Sequence, residues 1–357
     1  MTVASAQRLD ERLFASTTGA LELLSIYLGT RLGLYRTLQA SGPMSAQDLA
    51  DQAGIGPRYA REWLEQQAVA GLIDVDDDRA AWDERRYALT GEQAAVLAEP
   101  EHPSHMAPLA EMLVGVGKVM GEVVDAYRTG GGVPYRHYGA DFRLGQAGVN
   151  RPAFVNELAT TWLAAFPDLR ARLAEGAPLR IADLGSGEGW STMALARAYP
   201  SAEVVGYDSD AESVAAARRH AAERGLEVRF EAHDAADLTD DGPFDLVIIL
   251  EALHDLARPV EVLAAVYRAL APRGSLVIAD EAVAEEFSAP GSELERFMYG
   301  WSVSHCLPAA MAEQPSAALG TVLRPSTVRA LATEAGFSKF EVSDVDAGFF
   351  RIYRLRA

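Results

Sequence analysis

The chain has 357 residues, of which 49% are hydrophobic and 23% are charged, a composition typical of a globular protein with room for two domains. Its formal net charge of −19 disfavours nonspecific binding to nucleic acids or anionic membranes, and its single cysteine, Cys306, excludes an intrachain disulfide. The segment Met1–Arg8 lacks the basic stretch and apolar core of a signal peptide, and no apolar run approaches the roughly 18 residues of a membrane helix. We therefore expect a cytoplasmic protein.

Residues 1–100 show the element order of a winged helix-turn-helix domain. Apolar residues recur at helical spacing over 21–38, and Ser45 is placed to cap a second helix. Pro57 suits the first turn of a third helix. Two short strands follow, at 72–75 and 86–89, and they flank an acidic loop.

A winged helix suggests DNA binding, but the charge of this domain is unfavourable for that role. Residues 1–100 hold nine arginines and no lysine against fifteen acidic residues, and the wing tip contains four aspartates between Asp74 and Asp78. A DNA-binding face should be basic, whereas this wing would repel phosphate. We therefore expect no nucleic-acid partner.

Residues 101–175 are predicted to form a helical connector. The loop 130–139 places three glycines beside Tyr135 and Tyr138. Four apolar residues then recur at every fourth position, on one face of a predicted helix: Phe154, Leu158, Trp162 and Phe166. One interpretation is packing between domains. The other is a hinged lid over a binding site, lined by the two tyrosines together with Phe154 and Trp162.

The segment Arg180–Trp190, RIADLGSGEGW, predicts a strand that leads into a glycine turn and then a helix. Gly185, Gly187 and Gly189 stand at every second position, where glycine allows a tight turn and a close approach by a ligand. The residues after the turn have helical spacing, so the helix N-terminus faces it. This order indicates a nucleotide-binding βαβ unit.

Two acidic residues identify the nucleotide more closely. Asp208 ends the next strand, 203–208, and lies 21 positions after Gly187, where such units bind a ribose hydroxyl. Asp183 precedes the turn, where it would repel a pyrophosphate but suit an ammonium group. S-adenosylmethionine (SAM) carries an ammonium, a carboxylate and a ribose without phosphate. The pattern therefore favours SAM over a dinucleotide.

Strands and helices alternate through the rest of the chain. The segment Phe244–Leu250 is almost wholly apolar, which predicts a central strand. Two terminal strands, near 340–345 and 349–353, are joined by a short turn containing Gly348 and must be antiparallel. The predicted fold class is α/β, a doubly wound sheet with one antiparallel strand near its end.

The glycine turn with Asp183 and Asp208 resembles motif I of class I SAM-dependent methyltransferases, whose Rossmann-like sheet has seven strands. With its winged helix, the chain is similar to plant-type O-methyltransferases and their actinobacterial relatives. The resemblance implies a winged-helix dimerisation domain at 1–100, a connector or lid at 101–175 and a SAM-binding domain at 176–357, in a homodimer that acts on a small molecule. It implies these SAM-binding residues: Asp183, Gly185, Gly187, Gly189, Asp208, Ser209, His233, Asp234, Ala235, Leu250 and Glu251. For Asp234, capping of a helix is the alternative role.

His254 and Asp255, after the central strand, resemble the His-Asp pair of plant-type O-methyltransferases, whose histidine is the general base. A histidine with a pKa of about 6.5 can remove a proton at neutral pH. Leu256 stands where the family has an aromatic residue, which puts a phenol-specific role in doubt. A purely structural His254 is the alternative.

A long insertion, 281–323, follows the fifth strand of this domain and includes Trp301, a candidate substrate contact. It resembles the matching region of relatives that C-methylate α-keto acids, where a His-Asp pair and a histidine of this insertion bind a metal. His254, Asp255 and His305 occupy those places. Two histidines and a carboxylate suit a divalent metal or ferric iron, whose Lewis acidity would stabilise the enolate that attacks the sulfonium methyl group. His305 as a packed core residue is the alternative.

Three functions therefore stay open. The first is metal-assisted methylation of the β-carbon of an α-keto acid, and the second is metal-free O-methylation of a phenol or enol with His254 as base. The third is a ligand-responsive transcriptional regulator with a degenerate methyltransferase domain. The acidic winged helix and the intact glycine turn argue against the third.

Overall fold

The computed structural model describes residues 8–176 and 178–357. The expectation about a signal segment rests on residues 1–7, which lie outside the described residues. The chain divides into two compact units, one formed by Met1–Gly115 with Leu144–Pro152 and the other by Val116–Arg143 with Ala153–Ala357. Within the described ranges, no helix combines the length and the apolar character that a membrane span requires.

The first unit contains the predicted winged helix. Its elements are α1 (Leu9–Arg31), α2 (Leu34–Ser41), α3 (Ala46–Ala53), α4 (Pro57–Val69), β1 (Asp74–Val75), β2 (Tyr87–Ala88) and α5 (Gly91–Leu97). The capping box of Ser45 with Asp48 and the N-terminal Pro57 are confirmed. The single helix predicted over 21–38 is wrong, because Gly33 adopts a left-handed conformation (φ 69°) that separates α1 from α2.

A helical region leads from the first unit into the second. It comprises α6 (Leu109–Thr129), a 3₁₀ turn (Tyr135–Tyr138), α7 (Gly139–Asn156), a π-helical turn (Leu158–Trp162), a second 3₁₀ turn (Leu163–Ala165) and α8 (Pro167–Ala174). The one continuous helix predicted through Phe154 and Phe166 is wrong. It is interrupted after Asn156, and Pro167 begins the next helix. The four apolar residues are nevertheless all buried.

The second unit is built around a sheet of seven strands. They are β3 (Arg180–Leu184), β4 (Glu203–Asp208), β5 (Arg229–Ala232), β6 (Phe244–Leu250), β7 (Leu270–Glu281), β8 (Lys339–Val342) and β9 (Phe350–Arg356). Helices alternate with them: α9 (Trp190–Ala198), α10 (Ala211–Glu223), α11 (Pro259–Ala269), α12 (Glu293–Trp301), α13 (Leu307–Ala310) and α14 (Pro325–Glu334).

The strand order is β5-β4-β3-β6-β7-β9-β8. Six of these strands run in the same direction, and β9 runs in the opposite direction. This confirms the predicted fold class and the antiparallel terminal pair. The apolar strand β6 lies at the centre, where both of its faces are covered, as its composition predicts. Since β3 to β7 are parallel, their carboxyl ends share one edge of the sheet, which is where ligands of such folds bind.

Candidate active site

The glycine turn lies at the carboxyl end of β3, and its three glycines adopt positive φ angles of 73°, 52° and 84°. A Cβ at Gly185 would lie 2.6 Å from Ala252, and one at Gly189 would lie 2.7 Å from the ring of Phe230. A Cβ at Gly187 would meet nothing within 4 Å. Two of the glycines therefore allow close packing, whereas Gly187 borders open space, as a ligand cradle requires.

Asp208, at the end of β4, closes this cradle. Its Oδ2 accepts the N–H of Gly187 at 2.8 Å, and its Oδ1 accepts the N–H of Asp210 at 2.8 Å. Burial raises the pKa of its carboxyl group above the usual range. The acid that the spacing selected is thus fixed against the turn, and its contact with a ribose stays a prediction.

Asp183 has a structural role that the sequence did not indicate. Its Oδ2 accepts hydrogen bonds from the hydroxyl groups of Ser191 and Thr192, both at 2.6 Å, and these residues lie in the first turn of α9. Burial raises the pKa of Asp183 to about 6. Asp183 therefore joins β3 to α9, and its contact with an ammonium group stays a prediction.

The other predicted SAM contacts lie along the same edge of the sheet. Asp234 caps the 3₁₀ turn Ala235–Asp241, because its Oδ1 accepts the N–H of Ala236 at 2.9 Å, and the carbonyl of Asp234 lies 3.0 Å from Nδ1 of His233. The capping alternative is thus present, and the exposed carboxylate remains near solvent. Ser209 is exposed directly after β4, whereas Leu250 is the buried last residue of β6.

Glu188, inside the glycine turn, is buried, and burial raises its pKa to about 7 from 4.5. Between these two values the folded chain holds a proton that the unfolded chain has released, so stability falls as pH rises through this window. Glu188→Gln should therefore stabilise the protein by about 1–3 kcal/mol at pH 8 and much less at pH 4.5. Urea unfolding at both pH values measures this, and an equal effect at both would contradict the assignment.

A cluster of one histidine and four acids, the His254 cluster, lies at the ends of β6 and β7. His254 is 2% exposed, and its Nδ1 lies 2.9 Å from Oδ1 of Asp280 and 3.4 Å from Oε2 of Glu281. Its Nε2 lies 3.5 Å from Oδ1 of Asp255. Glu251 completes the cluster, since its carboxyl group interacts with that of Glu281. Sequence reasoning missed the roles of Asp280 and Glu281, although they are the last two residues of β7, at the ligand-binding edge of the sheet.

The charges of the His254 cluster are strongly coupled. Burial alone would lower the pKa of His254, but the carboxylates of Glu281, Asp280 and Asp255 together raise it well above its usual value. Burial raises the pKa of Glu251 to about 7, and it also raises the pKa of Glu281 well above its usual range. Buried acids that stay neutral near pH 7 are typical of functional sites.

His305 lies in a second π-helical turn, Ser302–Cys306, a type of turn that is common at functional sites. Its ring stacks on Phe142 at 3.9 Å between centroids and meets Tyr138 edge-on at 4.5 Å. Burial lowers the pKa of His305 to about 3, so the imidazole is neutral.

Two groups of three potential metal ligands occur among the described residues, each with all ligand atoms within 4.8 Å of one another. One is His254, Asp255 and Cys306, and the other is His254, Asp280 and Glu281. His305 belongs to neither. The structure thus brings His254 and Asp255 together as predicted, but it does not add His305 to the set.

The aromatic residues that were predicted to line the acceptor site make three sets of ring contacts. Tyr135 and Tyr138 lie beside His305. Desolvation, followed by the nearby carboxylates of Asp208 and Asp255, raises the pKa of the partly exposed Tyr135. By contrast, Trp162 packs edge-on against Phe154 and Phe350, at 6.1 and 5.2 Å. Trp301 packs on Phe297 at 5.8 Å.

The glycine loop before Tyr135 is fixed rather than open. A Cβ at Gly132 would collide with backbone atoms of Ala312, Met311 and Pro308. The N–H of Val133 also donates to the carbonyl of Pro308 at 2.9 Å. The loop therefore packs on α13, and a hinged lid stays a prediction.

Known proteins share both parts of this architecture. A family model described as a methyltransferase domain matches residues 176–335, and one described as an Rv2258c-like winged HTH domain matches residues 19–99. Acetylserotonin O-methyltransferase of Mus musculus molossinus is 30% identical over 325 residues, which cover 85% of this chain and 77% of that protein. The chain belongs to the SAM-dependent methyltransferases with an N-terminal winged-helix domain.

Other members of this class show the same fold or share part of the sequence. The structure of human N-acetylserotonin methyltransferase in complex with SAM matches with a TM-score of 0.71 over 99% of each chain, at 19% identity, which shows the fold alone. Demethylmenaquinone methyltransferase of Thermus thermophilus is 46% identical over 105 residues, 29% of this chain and 48% of that protein. The matched part of this chain thus spans about half the length of that curated relative.

Proposed function

We propose that this methyltransferase transfers the methyl group of SAM to the β-carbon of an α-keto acid, with a metal ion held at the His254 cluster. One observation carries the proposal. Four buried carboxylate oxygens there have no hydrogen-bond partner: Glu251 Oε1, Asp255 Oδ1, Asp280 Oδ2 and Glu281 Oε2. Each such atom costs about 1–3 kcal/mol, and so many carboxylate oxygens beside a histidine fit a cation.

The glycine turn supports SAM as the methyl donor. Gly187 leaves open space next to the main chain, and Asp208 stands beside it to accept ribose hydroxyl groups. The buried acids Asp183, before the turn, and Glu188, within it, disfavour a phosphate group at this place.

His254 and Asp255 are the proposed metal ligands, together with a third donor from the turn Ser302–Cys306. The sequence points to His305 as that donor. Its neutral imidazole and unpartnered Nε2 suit a ligand, since metals bind the neutral form of histidine.

The proposed methyl transfer depends on SAM, the ion and the side chains of the His254 cluster. When bound, SAM would supply an electrophilic methyl group and leave as S-adenosylhomocysteine. The ion would supply a Lewis acid that favours loss of the β-proton of the keto acid to solvent. Asp280 accepts the Nδ1 proton of His254, which leaves Nε2 directed towards Asp255. Because the cluster is buried, water is excluded and charges interact strongly. Positioning and charge stabilisation therefore account for the rate, without a covalent intermediate.

Metal-free O-methylation is the second candidate function, and the same hydrogen bond favours it. With Asp280 fixing Nδ1, Nε2 of the neutral form of His254 would accept a proton from a phenol or enol. Because the pKa of His254 is raised, this neutral form is populated as the pH rises above neutrality. The similarity to acetylserotonin O-methyltransferase agrees with oxygen as the acceptor atom.

The position of the transferred methyl group separates the two functions. Purified protein is incubated with SAM carrying a carbon-13 methyl group and with two panels, α-keto acids with β-hydrogens and phenols, before and after dialysis against a chelator. We expect a labelled methyl group bonded to carbon, in the first panel only, and restored activity after metal is added back. A label bonded to oxygen, insensitive to chelator, would refute the proposal in favour of O-methylation.

We further propose that the winged-helix domain forms a homodimer. On α1, Leu9, Leu13, Phe14 and Leu21 are all at least 60% exposed, which is unusual for a helix surface in water. Arg58 and Arg61 of α4 are paired with Glu62 and Glu65, which leaves little positive charge for DNA. Sedimentation velocity should show a dimer for the wild type and a monomer for Leu13→Asp. A monomeric wild type would contradict the proposal.

A further inference from the structure

We infer that Cys306 is a metal ligand, so that His254, Asp255 and Cys306 together form a site for a thiophilic divalent cation. The inference rests on the proposed metal-assisted function and deepens it. It assigns the third ligand to Cys306, whereas the sequence pattern points to His305.

Two separate segments bring the three ligand atoms together. His254 and Asp255 lie in a 3₁₀ turn, Leu253–Asp255, directly after β6, and Cys306 ends the π-helical turn Ser302–Cys306 of the insertion. An imidazole nitrogen, a carboxylate oxygen and the Sγ atom all lie within 4.8 Å of one another. Small movements would bring such atoms to a shared ion.

The atoms around the site have unsatisfied bonding capacity. Asp255 Oδ1 is buried and has no hydrogen-bond partner. The imidazole of His254 faces Asp255 with Nε2, and its Nδ1 lies 2.9 Å from Oδ1 of Asp280. This is the carboxylate–histidine arrangement that orients metal-binding imidazoles. Cys306 is 7% exposed, so a bound thiolate would be shielded from solvent.

His305 contacts Cys306, since its Nδ1 lies 3.4 Å from the Sγ atom, but its ring belongs to an aromatic group. Its ring is stacked on Phe142 at 3.9 Å and flanked by Tyr138, which fixes it in the aromatic group. Its ligand atoms do not join either group of three. The structure therefore assigns His305 to the aromatic wall and Cys306 to the ion.

The donor set also indicates the class of ion. One carboxylate and one thiolate carry two negative charges, which a divalent cation balances, while neutral His254 adds none. A thiolate favours softer ions such as Zn²⁺, Co²⁺ or Fe²⁺ over Mg²⁺ or Ca²⁺. On binding, the S–H bond of Cys306 and the Nε2–H bond of His254 break, bonds from the sulfur and from Nε2 to the metal form, and both protons pass to solvent.

Co²⁺ titration of the untagged full-length protein, in thiol-free buffer, tests this directly. A cobalt–thiolate bond gives a charge-transfer band in the near ultraviolet. Since Cys306 is the only cysteine in the chain, any such band reports on this residue, even without a variant. We expect one equivalent of Co²⁺ to produce the band, Cys306→Ser to abolish it, and His305→Gln to keep it.

Calorimetry of Co²⁺ binding to the same proteins separates a failure of the Cys306 assignment from a failure of the metal-assisted function. Stoichiometric Co²⁺ binding without the band would overturn the role of Cys306 while leaving the metal-assisted function intact. Loss of binding in His305→Gln but not in Cys306→Ser would overturn that role in the same way. No Co²⁺ binding at all would overturn both the inference and the metal-assisted function.

Discussion

Replacing His254 with alanine is expected to lower the rate of methyl transfer by at least about 10²-fold and to leave SAM affinity unchanged. In both candidate functions the acceptor depends on this side chain, as a metal ligand or as a general base. The residue lies in the turn after β6 and is held by Asp280, whereas the proposed SAM cradle is formed by Gly187 and Asp208. Removal of the imidazole should therefore separate catalysis from cofactor binding.

Turnover is measured as formation of S-adenosylhomocysteine with an accepted substrate, and SAM affinity by calorimetry. His102→Ala is the matched control, because His102 is exposed and its Nδ1 only accepts the N–H of Ser104. We expect wild-type turnover in that variant. Wild-type turnover in His254→Ala would refute both candidate roles of His254.

Gly187→Val is expected to abolish SAM binding that calorimetry can detect. The residue has φ 52°, which costs a β-branched side chain about 1–3 kcal/mol of strain. The added side chain would also occupy the open space next to the main chain. It would disturb the hydrogen bond that the N–H of residue 187 donates to Asp208. Both effects act on the proposed SAM cradle itself, so the loss of SAM affinity should exceed the loss that backbone strain alone would cause.

Gly225→Val provides a matched control for this variant. Gly225 follows α10, has φ 62°, and a Cβ there would also meet nothing within 4 Å. The control thus carries the same backbone strain at a place outside the proposed SAM site. We expect it to lose some stability but to bind SAM normally. Unchanged SAM affinity in Gly187→Val would show that the cofactor binds elsewhere.

Features with a local cause could be predicted from the sequence. The apolar segment β6, the glycine turn and the short connection before β9 each constrain the chain through a few adjacent residues, and each is present. The break at Gly33 was missed because the apolar spacing continues through it. The interruption after Asn156 was missed for a similar reason, since a π-helical turn keeps the apolar residues buried.

In the candidate site, too, the residues with a local sequence signal were predicted and those that depend on tertiary packing were not. His254 and Asp255 were predicted because they are adjacent in a pattern at the end of a strand. Asp280 and Glu281 were not, since acidic residues often end strands, and their role depends on β7 pairing with β6 so that Ala279 lies opposite Leu250. Phe142 and Cys306 depend on how the insertion folds back, which no local pattern specifies.

The central claim, that the His254 cluster holds a cation, is tested most directly by measuring the metal content. The untagged protein and an Asp255→Ala variant are incubated with iron, zinc, cobalt and nickel, desalted, and analysed by inductively coupled plasma mass spectrometry. We predict close to one metal ion per wild-type chain and almost none in the variant. A wild-type protein that keeps no metal from any of these ions would contradict the claim and leave metal-free O-methylation with His254 as base.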